Sequence, residues 1–144
     1  MARYIGHVTS PRPIEDVFDY LADFSNVRDW DPSAVESRAL NGGGVAEGSR
    51  YAVTSRFMGR EVPITYEVIE IERPARVALR GENDSVVSLD TMSFRKLPDG
   101  GTEVTYDADL QLQGARRLLD PVVGLSFRRL CERARARMEE VLGA

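Results

Sequence analysis

Hydrophobic and polar residues alternate along most of the chain between residues 34 and 113. A period of two predicts β-strands that bury one face. Turn signals at 72–74 and 98–101 separate the segments, and Gly59-Arg60 predicts a tight hairpin. Pro63 predicts an edge or a bulge in its strand. The predicted strands are 2–9, 34–40, 49–58, 61–72, 76–83, 85–97 and 102–113. Successive hairpins of this kind form an antiparallel sheet with one solvated face.

Helical spacing occurs after the first predicted strand and again at the end of the chain. Residues 14–21 carry apolar side chains on one helical face behind Pro13, and a short helical turn is predicted at 24–28. Trp30-Asp31-Pro32 ends that turn, because proline disfavours helical backbone at the residue before it. The last helix is predicted over 122–142, with an apolar stripe of Val123, Phe127, Leu130, Ala134, Met138 and Val141. A one-sided sheet and a long amphipathic helix bury each other, which predicts a two-layer α+β domain.

Length and composition narrow the class of protein. A chain of 144 residues with 42% hydrophobic residues is the size of one globular domain, predicted to span 1–144. The single cysteine, Cys131, and the single histidine, His7, argue against a disulfide framework, a zinc site or a histidine-based catalytic triad. We expect no metal and no cofactor. No apolar run approaches the roughly 20 residues of a membrane helix, and no secretory signal is visible. The expected location is therefore cytoplasmic, without stable membrane insertion.

Charge is unevenly distributed along the chain. The net charge is −4, yet residues 114–144 hold seven arginines and only four acidic residues. The only aromatic residue among these arginines is Phe127, so a nucleic-acid platform is poorly supported and we expect no nucleic-acid partner. The favoured interpretation is the solvated face of an amphipathic helix. Docking of this face on an acidic protein partner stays open as an alternative.

Several short motifs are similar to those of one known superfamily. They are Ser10-Pro11 before the first helix, the stretch 16–23, Trp30-Asp31-Pro32, and the strand openings 48–51 and 101–106. With the order of elements, they resemble the START-like (SRPBCC) superfamily, and within it the polyketide cyclase/dehydrase and lipid-transport branch. The resemblance covers essentially the whole chain. It implies a helix-grip (START/Bet v 1-like) fold, in which a curved seven-stranded antiparallel sheet wraps around the C-terminal helix and leaves an apolar cavity.

The resemblance implies two classes of function, because members of the superfamily bind lipids, sterols, polyketides, quinones or plant hormones and some are enzymes. The favoured hypothesis is a protein that binds or carries a small hydrophobic ligand of lipid, polyketide or aromatic type, as a monomer or homodimer. The alternative is a polyketide cyclase or dehydratase that uses Asp90 and a tyrosine, Tyr106, as acid and base. Fold alone does not choose between them.

Strand parity selects the candidate site residues. Asp90 shares its face with Val86 and Met92, so it is expected to point inward, either as a polar anchor or general acid/base or as a structural carboxylate. Ser88 lies on the same face. Trp30 is either a core residue or part of the cavity mouth. The predicted ligand-binding residues are Trp30, Tyr51, Ser55, Phe57, Tyr66, Asp90, Met92, Tyr106, Phe127 and Leu130.

Overall fold

Seven antiparallel strands and a long C-terminal helix make up most of the computed structural model, which describes residues 2–42, 44–113 and 121–143. Residues 121 and 122 are described as backbone only. The segment 114–120, which holds two of the seven C-terminal arginines, lies outside the described residues.

The strands form one sheet in which every neighbouring pair is antiparallel. The order across the described sheet is β1-β7-β6-β5-β4-β3-β2. The strands are β1 (Ala2–Ser10), β2 (Ala34–Ala39), β3 (Arg50–Phe57), β4 (Arg60–Glu72), β5 (Arg76–Glu82), β6 (Val86–Lys96) and β7 (Thr102–Leu112). The helices are α1 (Ile14–Ala22), α2 (Val27–Trp30) and α3 (Pro121–Leu142), with a 3₁₀ turn at Phe24–Asn26 before α2. This confirms the predicted α+β architecture.

The apolar faces of the sheet and helices meet in one core. Helix α3 lies against β1 and β7 and also contacts α2. Helix α1 covers β6, where the Phe18 and Phe94 rings meet edge-on with centroids 5.0 Å apart. The buried Ser10 hydroxyl donates a 2.7 Å hydrogen bond to the Leu142 carbonyl, which joins the end of β1 to the end of α3. These contacts close one end of the layer between sheet and helices.

The strand faces agree with the predicted parity. Ser88 and Asp90 of β6 are buried, and so is Tyr106 of β7. His7 of β1 is exposed, and its Nδ1 lies 3.2 Å from the Thr105 hydroxyl on the outer face. The only histidine of the chain therefore points away from the core, as predicted.

The β3–β4 hairpin corrects one prediction by a single residue. Phe57 pairs with Arg60, so the two turn residues are Met58 and Gly59 rather than Gly59 and Arg60. Their φ angles are +52° and +79°, the positive values that both central residues of a type I′ turn require. The sequence signal was weak here because methionine is an unusual residue at the first of these positions.

Pro63 lies where β4 extends past its neighbour β5. Pairing of β4 with β5 begins only at Thr65, so Pro63 has a strand partner, Thr54, on one side alone. This local edge is the one predicted. The bulge of β4 lies elsewhere, between Val68 and Glu70.

The apolar stripe of α3 is rotated slightly from the predicted one. Cys131 and Leu142 are almost completely buried, whereas Leu130 and Val141 are only half-buried. Successive residues on a helix point about 100° apart, so of two neighbouring apolar residues only one can point directly at the sheet. The buried positions are Val123, Phe127, Cys131, Ala134, Met138 and Leu142.

Candidate ligand-binding cavity

A cavity of about 90 Å³ lies between the sheet and the first half of α3. A cavity of this volume holds a few water molecules or part of a small organic ligand. Strands β3, β4, β6 and β7 supply most of its wall, and α3 and the turn after α2 complete it. The lining residues are Asp31, Ser33, Ser55, Phe57, Val62, Ile64, Tyr66, Val86, Ser88, Asp90, Tyr106, Ala108, Leu110, Phe127, Leu130 and Cys131.

The structure brings most of the predicted site residues together in this wall. Those that line the cavity are Ser55, Phe57, Tyr66, Asp90, Tyr106, Phe127 and Leu130. Ser88, expected on the same face as Asp90, lines it as well. The other three predicted residues, Trp30, Tyr51 and Met92, lie outside the lining, which corrects their predicted place in the wall.

Trp30 belongs to the core behind the cavity wall. Its side chain is 1% exposed, and its ring meets those of Phe24 and Tyr106 edge-on, each at a centroid distance of 5.9 Å. Among the described residues, its indole Nε1 has no hydrogen-bond partner. Trp30 therefore supports Tyr106 from behind and does not form the cavity mouth.

Tyr51 and Met92 face the correct side of the sheet but lie at other points along it. Tyr51 borders a separate shallow depression with Asp23 and Asn41, and its ring lies 6.3 Å from that of Phe24. Met92 is completely buried on β6, two residues beyond Asp90 in the direction of the closed end. Strand parity predicts the face of a sheet but not the position along it.

Asp90 is the central polar group of the cavity. The Ser88 hydroxyl donates a 2.9 Å hydrogen bond to its Oδ1, and both residues are buried. Burial raises the pKa of Asp90 to about 7, the Ser88 hydrogen bond opposes the rise, and the negative charge of Asp31 adds to it. Near neutral pH the carboxyl group therefore exists in both forms, one a hydrogen-bond donor and the other a base.

Asp31 is a second carboxylate of the lining, and it lies outside the residues that strand parity selects. The Ser33 backbone N–H and hydroxyl donate to its Oδ1 at 2.9 Å and 2.7 Å. Burial raises the pKa of Asp31, while the Ser33 hydrogen bonds and the positive charge of Arg133 act in the opposite direction. The residue lies in the turn after α2, where no periodicity applies. The Asp-Pro-Ser pattern of an Asx turn was the signal that could have identified its conformation.

Tyr66 and Tyr106 place phenol groups near Asp90. Burial raises the pKa of both well above the usual value, and the negative charge of Asp90 raises it further. The two hydroxyls therefore stay protonated and act as donors. Tyr66 lies against Gly81, where a Cβ atom would come within 2.6 Å of its ring. Glycine at position 81 thus allows the close approach of this ring to β5.

Cys131 contributes a sulfur atom to the wall. Burial raises the pKa of its thiol, and the negative charges of Asp90 and Asp31 raise it further. A protonated thiol is a poor nucleophile, so Cys131 acts here as a small apolar residue.

Residues 1–143 match the model of the family described as polyketide cyclase/dehydrase and lipid transport. The chain belongs to this family. No curated protein sequence matches it closely enough to count as a relative.

Solved structures similar to this family member support the same fold. A START superfamily protein from Mycobacterium smegmatis superposes with a TM-score of 0.81 at 14% identity, covering 99% of this chain and 97% of that one. The ZhuI aromatase/cyclase from Streptomyces sp. gives 0.75 at 17% identity, covering 97% and 90%. The protein Ara h 8.0201 gives 0.69 at 14% identity, covering 97% and 96%. The sheet and C-terminal helix thus form the START/Bet v 1-like helix-grip fold that the sequence predicted.

The described residues of this family member contain neither a helix that could span a membrane nor a cluster of possible metal ligands. None of its helices is both long enough and apolar enough to cross a bilayer. Within the same residues, no three His, Cys, Asp or Glu side chains gather as a metal site would require.

Proposed function

We propose that this protein binds or carries a small, largely apolar ligand of lipid, polyketide or aromatic type, with an oxygen-bearing group of the ligand at Asp90. The observation that carries the proposal is a mainly apolar cavity whose wall includes the carboxyl group of Asp90, which is shielded from bulk solvent. Binding sites for small molecules commonly combine an apolar wall with a few convergent polar groups. A filled core would instead have favoured protein docking on the arginine-rich helix face.

The polar groups define which ligand oxygen fits. Protonated Asp90 can donate a hydrogen bond to a carbonyl oxygen, and ionised Asp90 can accept one from a hydroxyl group. Tyr66 and Tyr106 provide further donors on either side, since both phenols stay protonated. A ligand with a ketone, phenol or alcohol group at one end therefore suits this part of the wall.

The decisive test combines native mass spectrometry with a fluorescent probe. We expect a small molecule to co-purify with the protein, and N-phenylnaphthylamine to bind with saturable one-to-one stoichiometry. Ala108→Leu should reduce this affinity more than tenfold, because Ala108 is buried in the wall and the larger side chain fills the space. Ala136→Leu, the same change at an exposed position of α3, should leave it unchanged. If Ala108→Leu leaves the affinity for the probe unchanged, the proposal is overturned.

Asp90→Asn tests the assigned anchor. Asparagine preserves the size of the side chain and a donor group but cannot exchange a proton. For a carrier we expect the affinity to stay within about tenfold, or about 1.4 kcal/mol. A complete loss of probe binding in a folded variant would contradict the carrier function.

The second candidate function is cyclisation or dehydration of a poly-β-ketone substrate. The observation that favours it is the raised pKa of Asp90, about 7, in a cavity wall that also contains Tyr106. A carboxyl group with this pKa can take a proton from the carbon next to a carbonyl and return one to a departing hydroxyl group. With a synthetic poly-β-ketone, Asp90→Asn should then lower turnover by roughly 10²–10⁴ while binding persists. Equal turnover by the variant would exclude this role for Asp90.

A further inference from the structure

A second depression, of about 230 Å³, adjoins the cavity on the outside. It shares two residues with the cavity wall, Phe57 and Leu130, so the two spaces meet at these side chains. Three arginines surround it: Arg56 from the end of β3, and Arg129 and Arg133 from α3. We call this depression the vestibule.

The vestibule carries more positive charge than the ion pairs of its described residues neutralise. Arg56 is paired with Glu61 across the hairpin, with 3.0 Å between Nη2 and Oε2. Neither Arg129 nor Arg133 forms an ion pair with another described residue. The positive charge of Arg133 nevertheless acts on the cavity, because it opposes the rise in the pKa of Asp31 that burial causes. The entrance is therefore positive, whereas the interior holds carboxyl groups.

We propose that the vestibule binds the anionic head group of an amphipathic ligand whose apolar part enters the cavity between Phe57 and Leu130. This inference rests on the proposed function and adds the chemistry of the ligand's outer end. Guanidinium groups bind carboxylate, sulfonate and phosphate oxygens through paired hydrogen bonds. Inside the cavity the same anion would lose its hydration, and the ionised forms of Asp31 and Asp90 would repel it, so it stays at the entrance. The ligand is thus oriented with its charge outward and its neutral oxygen toward Asp90.

Two dyes that differ only in one anionic group provide the test. Anilinonaphthalene sulfonate is N-phenylnaphthylamine with a sulfonate added, so the pair isolates the contribution of the charge. We expect the native protein to bind the sulfonate dye at least about fivefold more tightly, with the preference shrinking as salt concentration rises.

The arginine variants locate this preference. Arg129→Gln combined with Arg133→Gln should weaken the sulfonate dye about tenfold or more and change the affinity for the neutral dye less than about twofold. Arg128→Gln combined with Arg137→Gln removes the same charge from exposed positions of α3 outside the vestibule. This control should change both affinities less than about twofold. Any loss that it causes measures the general effect of net charge, which is the same in the two double variants.

The outcomes separate this inference from the function on which it rests. If the vestibule variant and the control weaken the sulfonate dye equally, or the dyes bind equally well, the vestibule is not an anion site although the cavity still binds ligands. If neither dye binds, both proposals fail. Displacement of the sulfonate dye by dodecanoate or by dodecyl phosphate identifies the carboxylate or phosphate as the preferred head group. If inorganic phosphate, which has no apolar chain, displaces the dye as well as dodecyl phosphate does, the ligand need not be amphipathic and the proposal fails.

Discussion

The two ends of the layer between sheet and helices share strand β6 but differ in packing and polarity. At the closed end, Phe94 of β6 packs against Phe18 of α1, and Met138 of α3 is completely buried nearby in the same core. At the open end, the same strand β6 presents Ser88 and Asp90 to the cavity. The backbone continues unchanged from one end to the other.

This difference shows that side-chain size and polarity, rather than a change of fold, create the cavity. Two inward positions of β6 carry small or polar side chains, and Ala108 of β7 lies opposite Asp90. The closed end therefore supplies most of the core packing. The open end is less tightly packed and buries a carboxyl group, so we expect it to contribute less to stability than the closed end does.

The largest expected effect compares two equivalent truncations. Phe94 and Phe127 are almost equally buried, with 6% and 7% exposed, at the closed and open ends respectively. Phe94→Ala should lower the free energy of unfolding by about 3–5 kcal/mol, because it creates a new cavity in close-packed surroundings. Phe127→Ala should lower it by roughly half as much, since its ring already borders open space. Urea denaturation measures both, and equal losses would show that the two ends are equally packed in solution.

The second prediction concerns the pH dependence of stability. Folding raises the pKa of Asp90 from about 3.9 to about 7, so the folded state holds this proton more tightly than the unfolded state does. Stability contributed by the neutral carboxyl is therefore complete below about pH 4, falls as pH rises toward 7, and stays low above it. The full loss is about 4 kcal/mol as an upper value.

Asp90→Asn isolates this contribution. In the native protein the ionisation tendency of Asp90 lowers the free energy of unfolding between about pH 4 and 7, and the variant should lack this decrease. The difference in free energy of unfolding between variant and native protein should therefore increase in favour of the variant across that interval. Asp31, whose pKa is also raised, remains in both proteins, and the comparison includes any change in its titration because its charge interacts with Asp90. Parallel stability curves for the two proteins would show that Asp90 ionises freely in the folded state.

A pair of glycines provides a third, smaller test. Gly81→Ala brings a methyl group within 2.6 Å of the Tyr66 ring, which should cost roughly 1–3 kcal/mol and weaken probe binding as the ring shifts. Gly124 lies in α3 with no neighbouring atom within 4 Å of an added Cβ. Gly124→Ala should therefore stabilise the protein by about 1 kcal/mol through helix propensity. Thermal unfolding of both variants checks the contrast, which a loss at both positions would contradict.

The smallest expected effect lies in the turn at the rim of the vestibule. Met58 is exposed and adopts a positive φ angle, which disfavours residues with long side chains. Met58→Asn should raise the free energy of unfolding by up to about 1 kcal/mol, because asparagine suits the first position of a type I′ turn. Stabilisation without any change in dye affinity would show that the turn only supports the rim. A destabilised variant would contradict the assigned turn geometry.

Periodicity predicted the strands and the inward residues well because alternation is a strict geometric property of a sheet. It correctly placed Asp90, Tyr66 and Tyr106 on the inner face. It cannot separate the open end from the closed end, which is why it wrongly predicts Tyr51 and Met92 in the cavity wall. Position along the layer depends on where the helices cover the sheet, and that is set by tertiary packing.

The other missed features lie where periodicity is weak. Asp31 occupies a turn, so its approach to the cavity depends on the path of the chain after α2. On α3, spacings of three and four fit both Leu130 and Cys131, and only the contact with the sheet decides which is buried. The vestibule combines a hairpin end with a helix face, and no local pattern in the sequence connects them.

The sheet order has a consequence for how the chain folds. Six of the strands follow one another as neighbours, but β1 pairs with β7, joining Ala2 to Leu110 across almost the whole length of the chain. Closing so long a loop is entropically costly until the partner strand is in place. We therefore expect the hairpins of β2–β7 to assemble first and β1 to dock afterwards, together with α3, which lies against it. Until then β7 exposes an unpaired edge, and this is the stage at which another chain could add to the sheet.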